Sequence, residues 1–119
     1  MNQYEVPALM ADELPEIKHE LKHLSVLGNI NTAMHILADF TNHMIVEHNY
    51  AMVQKCMNLA NRIYTKGNNL IRNAVENVFV YSFSTLRATC NRTEWKLLQA
   101  RMPVTLYSLY VNQLLKTGD

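Results

Sequence analysis

Three glycines and three prolines are all the backbone breakers that this chain of 119 residues carries. They make up about 5 % of it, against roughly 12 % in average usage. A fold of many short strands needs such a residue at nearly every turn, so the count argues against a sandwich, a barrel or a solenoid of tight turns. Collagen-like and linker-like chains are excluded. Hydrophobic residues account for 49 % and charged residues for 18 %, a globular and not a disordered balance. The expectation is an all-α protein. One domain over residues 1–119 would form a bundle of five or six helices joined by short loops, large enough to bury a single core.

The spacing of apolar residues divides the chain accordingly. Around Pro7, residues 4–12 have the length of one or two helical turns. Leu14, Ile17, Leu21 and Leu24 then form a narrow stripe on a helix with Pro15 in its first turn and Asp12 or Glu13 as its cap. Residues 25–31, with Gly28, form a connection. Asn29 or Asn31 caps a second helix that places Ile30, Ala33, Met34, Leu37, Phe40, Met44 and Ile45 on one face and His35, Asp39 and Asn42 on the other. It breaks at His48. Asn49 caps a third helix that buries Met52, Cys56, Leu59, Ala60 and Ile63, with Val53, Met57 and Tyr64 beside them. Lys66 in its last turn and Gly67 as its C′ residue stop it.

Asn68 and Asn69 open a fourth segment that runs to about Ala88. Its stretch from Phe79 to Phe83 is apolar nearly all round. No second strand candidate exists to pair with it, and an unpaired buried strand cannot satisfy its backbone, so this stretch is read as a helix in the middle of the bundle. Thr93 caps a short helix with Trp95, Leu97, Leu98 and Met102. Pro103 is a break or a first-turn position before the last helix, which carries Val104, Leu106, Tyr107, Tyr110, Val111, Leu114 and Leu115 and ends at Gly118. Val46, Val80 and Phe83 fall away from the apolar faces of their helices.

Several functional classes are disfavoured. No apolar run approaches the ~20 residues of a membrane span. The start lacks the basic-then-apolar pattern of a secretory leader. Cys56 and Cys90 form no CxxC, which suits the reduced cytoplasm and argues against a disulfide. A sequence pI of about 7.8 argues against nucleic acid, whose binding domains usually exceed 9. Neither a phosphate-binding loop nor GxSxG, HExxH or GxGxxG is present.

The residues that could carry chemistry have plainer explanations. Glu16-x-x-His19 and Glu20-x-x-His23 have the spacing of carboxylate–histidine metal ligands, yet all four lie off the Leu14/Ile17/Leu21/Leu24 stripe and face water. A surface zinc bridge by His19 and His23 is the residual metal reading. Cys56 sits in an apolar face, where a cysteine acts as a small hydrophobe with a raised pKa. Cys90 is placed in a loop with no base beside it. The expectation is no cofactor and no catalytic residue.

Charge is distributed unevenly. Lys18 and Lys22 are the only Lys or Arg in residues 1–48, against seven Asp and Glu, a balance of −5; residues 49–119 carry nine against three, a balance of +6. Either the two halves attract each other across the domain, or an acidic and a basic patch each serve a partner.

Leu14-Pro15-Glu16-Ile17-Lys18, Asp39-Phe40, Gly67-Asn68 and Asn73-Ala74-Val75-x-x-Val78 together resemble a group of uncharacterised small bacterial helical domains over most of residues 12–90. Some such domains are encoded beside polymorphic toxins, so the resemblance implies an immunity-type binding role. No catalytic residue carries over. The group's frequent acidic residue near the end of the fourth helix is replaced here by Ser82-Phe83-Ser84. The helix pair around Gly67 also resembles a single tetratricopeptide hairpin, with Tyr50, Ala60, Ala74 and Phe79 at suitable positions, but no second copy follows.

The reading is a non-enzymatic protein that binds another, basic protein through an acidic face of its first two main helices: Glu16, Glu20, Asp39 and Glu47. The surplus apolar surface at Val46, Val80 and Phe83 is either a helix covered on both sides or a contact patch, and for a patch homodimerisation is the commonest outcome. The alternative is a ligand- or metal-binding bundle, even an enzyme, with polar groups such as Tyr81 and Tyr107 or Tyr110 converging near the inner helix.

Overall fold

A computed structural model describes residues 1–22 and 29–117. Helices and turns account for their regular structure, with no strand among the described residues. Helix α1 (Val6–Glu13) holds Pro7 in its first turn, where the missing N–H has no intrahelical acceptor to lose. A 3₁₀ turn at Pro15–Ile17 leads into α2 (Lys18–Leu21). Neither Asp12 nor Glu13 caps this turn. Its N-cap is Leu14, with no side-chain bond, and the Glu13 carboxylate instead meets Arg62 Nη2 at 2.8 Å. Leu14, Ile17 and Leu21 are buried as the stripe requires. His23, Leu24, Gly28 and Gly118 lie outside the described residues.

Helix α3 (Ile30–Val46) is capped by Asn29, whose side chain accepts from Thr32 N–H. It ends in a Schellman motif: Asn49 N–H donates to Met44 O at 2.9 Å and His48 N–H to Ile45 O at 3.0 Å. The position that glycine usually takes there belongs to His48, at φ 57°. Asn49 then caps α4 (Tyr50–Lys66) through Met52 N–H. Val53 and Met57 belong to the buried face of α4, and Met52 stands at its edge.

Gly67 does stop α4, but not by a left-handed turn. Its backbone is extended, at φ −80° and ψ 156°. Space is what demands glycine: a Cβ there would run into the Ile71 side chain and lie 2.7 Å from Ile63 O. Asn68 caps α5 (Asn69–Ala74), and the Met1 amine donates to Lys66 O, tying the start of the chain to this corner. Asn91, not Thr93, caps α7 (Arg92–Arg101), accepting from Glu94 N–H at 2.8 Å. The chain breaks at Pro103, and α8 (Val104–Thr117) follows.

The segment expected as one long inner helix contains a π turn at Val75–Val80 between α5 and α6 (Ser82–Thr89). In an unbroken helix at about 100° per residue, Val80 would point about 180° and Phe83 about 120° away from Ile71. One extra residue in the turn removes about 100° from each, so both swing toward the face of Ile71, Ala74 and Val75. All five are fully or almost fully buried. The same rotation sends Tyr81 outward, 64 % exposed. Leu70 is half exposed, and Val46 is exposed as its position on the helix foretold. Gln113 of α8 braces the π turn by donating from Nε2 to Glu76 O at 2.7 Å.

One hydrophobic cluster runs from Val6 to Tyr110. Helix α3 packs on both α4 and the π turn, α1 and α2 lie against α3, and α8 closes over the π turn. At its far end an aromatic relay links Phe79 to Phe83, Phe83 to Tyr110 and Tyr110 to Trp95, with ring centres 5.4, 5.9 and 5.7 Å apart in edge-to-face contacts.

Candidate functional site

The four carboxylates proposed for partner binding are all exposed. Glu16 lies in the Pro15 turn and Glu20 in α2, which packs against α3. Asp39 borders a shallow recess formed with Ala38, Asn42 and the α6 residues Ser82, Thr85 and Leu86. Glu47 caps the C-terminal end of α3 and stands 3.6 Å from His43. Glu16, Glu20 and Asp39 carry no ion pair among the described residues. Among the described residues, the carboxylates of this half that do find partners are Glu5, which accepts from Asn2 N–H, Glu13, tied to Arg62, and Glu47. Attraction between the two halves therefore uses little of their charge. Arg87, Arg92, Lys96 and Arg101 remain on the surface of the basic half.

A second polar group was not foreseen. Where the α3–α4 corner meets the start of α7, Glu94 Oε2 accepts a very short hydrogen bond from Tyr50 Oη, and His48 Nδ1 lies 3.2 Å from the same oxygen. Burial first, and then the neighbouring Glu94 carboxylate, push the Cys90 thiol up to about 11. The Tyr50 hydroxyl, chiefly, holds the Glu94 carboxyl below its ordinary range. Asn91 and Glu94 have the N-cap and N3 spacing of a capping box, which places Glu94 in the first turn of α7. Nothing local reveals that its partners come from residues 44 and 46 positions earlier. The groups satisfy one another, and a protonated thiol is a poor nucleophile. Their chemistry is that of a clasp between two chain corners. The left-handed backbone of His48, which costs about 1–2 kcal/mol in a non-glycine residue, belongs to the Schellman stop of α3 and sets the imidazole beside Glu94.

The clasp makes a pH prediction. A carboxyl whose folded pKa is depressed stabilises the fold above its unfolded pKa, and this contribution is lost as pH falls through the folded value. In urea unfolding from neutral pH down to about pH 3, Glu94→Gln should therefore weaken the fold at neutral pH and flatten the acid loss. The slope that remains belongs in part to Glu13, lowered chiefly by its hydrogen bond from Arg62. Equal acid slopes in the two proteins would sink the assignment.

The other candidates fall as follows. Cys56 is fully buried, and burial pushes its thiol up to about 11, so it is a core residue. Both cysteines are free thiols. The three tyrosines do not converge: Tyr110 is buried in the aromatic relay, Tyr107 borders a recess with Met102 and Val104, and Tyr81 borders a separate groove with Glu76, Gln113 and Lys116. Glu16, His19 and Glu20 are exposed, and among the described residues no three His, Cys, Asp or Glu side chains are grouped to hold a metal ion. No helix among the described residues is long and apolar enough to cross a membrane.

Fold and surface thus define the class: a small all-helical protein whose charged groups and shallow recesses lie on the outside of a closed apolar core. Within that class, the chain belongs to the family described as a domain of unknown function, DUF7674, whose model matches residues 7–116. No curated protein and no solved structure matches it.

Proposed function

We propose that this chain is a non-enzymatic protein-interaction protein of the bacterial cytoplasm, immunity-like in action, that holds a basic partner protein on Glu16, Glu20, Asp39 and Glu47. The observation that carries the reading is the exposure of Glu16, Glu20 and Asp39 without an ion pair among the described residues, in a half of the chain whose balance is −5. Carboxylates kept on a surface without internal pairing are suited to steering a cationic partner into contact, and like charge on a wrong partner is repelled. Saturation of the polar groups around Glu94 by one another supports a binding role over a catalytic one.

The test is differential capture from the native cell extract, with the wild-type chain and the variant Glu16→Lys/Glu20→Lys/Asp39→Lys/Glu47→Lys as parallel baits. All four positions are exposed, so the variant should unfold at a similar temperature. The expected result is a basic protein retained by the wild type at low salt, released by high salt and absent from the variant. Identical captured sets would refute the reading.

A further inference from the structure

The only two lysines of the acidic half stand at one place. A groove between α1 and α2, of about 340 Å³, has an apolar floor of Pro7, Ala8, Ala11 and Leu21, and its remaining lining is Lys18, His19 and Lys22. Among the described residues no carboxylate lines it. The three basic side chains are exposed, and none makes an ion pair among the described residues.

In residues 1–48 carboxylates outnumber Lys and Arg seven to two, so a basic rim runs against its surroundings. Pro7 and the small side chains of Ala8 and Ala11, one turn apart on α1, leave the floor open, while Leu21 is buried beneath it. Glu16, in the turn before α2, and Glu20, in α2 with Lys18, do not belong to the lining. Small-molecule sites begin at about 300 Å³, are lined mainly by apolar groups, and use a few polar groups to fix orientation. This groove meets each condition, and its charge specifies the sign of the polar end of its ligand.

We infer that the groove binds a hydrophobic carboxylate: a single alkyl chain laid on Pro7, Ala8, Ala11 and Leu21, with its carboxylate held by Lys18, His19 and Lys22. The chain contributes affinity by leaving water, and the rim selects an anionic over a neutral head group. The site is independent of the four carboxylates assigned to the partner protein, so either assignment can fail without the other.

The test is an NMR titration of the labelled chain with decanoate, below its micelle concentration, alongside decanol. Decanoate should shift the Ala8 and Ala11 methyl resonances and bind about five- to tenfold more tightly than decanol, the scale that exposed charge pairing supports. Affinity should rise up to about fourfold per added methylene from hexanoate until the floor is covered. Lys18→Gln/Lys22→Gln should erase the preference for carboxylate over decanol. Ala11→Trp should block both ligands. Decanoate and decanol binding equally, a preference that survives in Lys18→Gln/Lys22→Gln, shifts centred on α8 instead of α1, or no binding at all would each overturn the assignment.

Discussion

Replacing Phe83 by alanine is expected to lower the free energy of unfolding by about 3–5 kcal/mol, the range for removing a buried aromatic ring from a core. Phe83 is fully buried and its ring bridges Phe79 and Tyr110. Small domains have about 5–15 kcal/mol in all, so the variant should sit near the edge of folding. The result also reports on the π turn, because an unbroken helix would carry Phe83 away from the core face. Tyr81→Ala is the matched control. That side chain is mostly exposed, and its loss should change stability by no more than about 0.5 kcal/mol. Urea unfolding of both variants decides the matter. A Phe83→Ala loss below about 1 kcal/mol would contradict the re-phased helix.

Gly67→Ala carries the second large effect and acts in the opposite sense from a cavity. A methyl there meets the Ile71 side chain and the Ile63 carbonyl, and neither can retreat without moving the corner between α4 and α5. Overpacking of this kind costs about 1–3 kcal/mol. At an extended φ with free space around it, alanine would instead have stabilised by restricting the unfolded chain. The sign of the change in thermal midpoint therefore separates a steric glycine from an incidental one. A stabilised Gly67→Ala protein would refute the close approach.

How far the sequence reaches is clear from particular residues. Asparagine caps are legible because the signal is local: Asn29, Asn49 and Asn68 each accept from an N–H three residues ahead. The cap of α7 falls at Asn91 and not at the expected Thr93, because either side chain can cap and the local sequence alone does not decide where the helix starts. The helical nature of residues 75–83 follows from the lack of a strand partner. The π turn does not, since periodicity assumes a constant rotation per residue, and an inserted residue is visible only through Val80 and Phe83 appearing on the wrong face. Of the two readings open for those residues, a helix covered on both sides and a contact patch, their burial fits the first. The stop at Gly67 was legible, but its reason was not: the contact with Ile71 arises across a corner. The carboxylates at Glu16, Glu20, Asp39 and Glu47 were legible as exposed because they fall off the apolar stripes. The Tyr50–Glu94–His48 clasp joins distant parts of the chain and left no trace in either neighbourhood.

The central claim concerns the acidic surface, and the affinity of the captured basic protein for purified wild type and for Glu16→Lys/Glu20→Lys/Asp39→Lys/Glu47→Lys tests it most directly. Calorimetry at low and high salt supplies both numbers. The expected result is a wild-type affinity that falls as salt screens the contact and at least about a hundredfold loss in the variant, the scale of several charge contacts removed together. Equal affinities, or an affinity indifferent to salt, would contradict it.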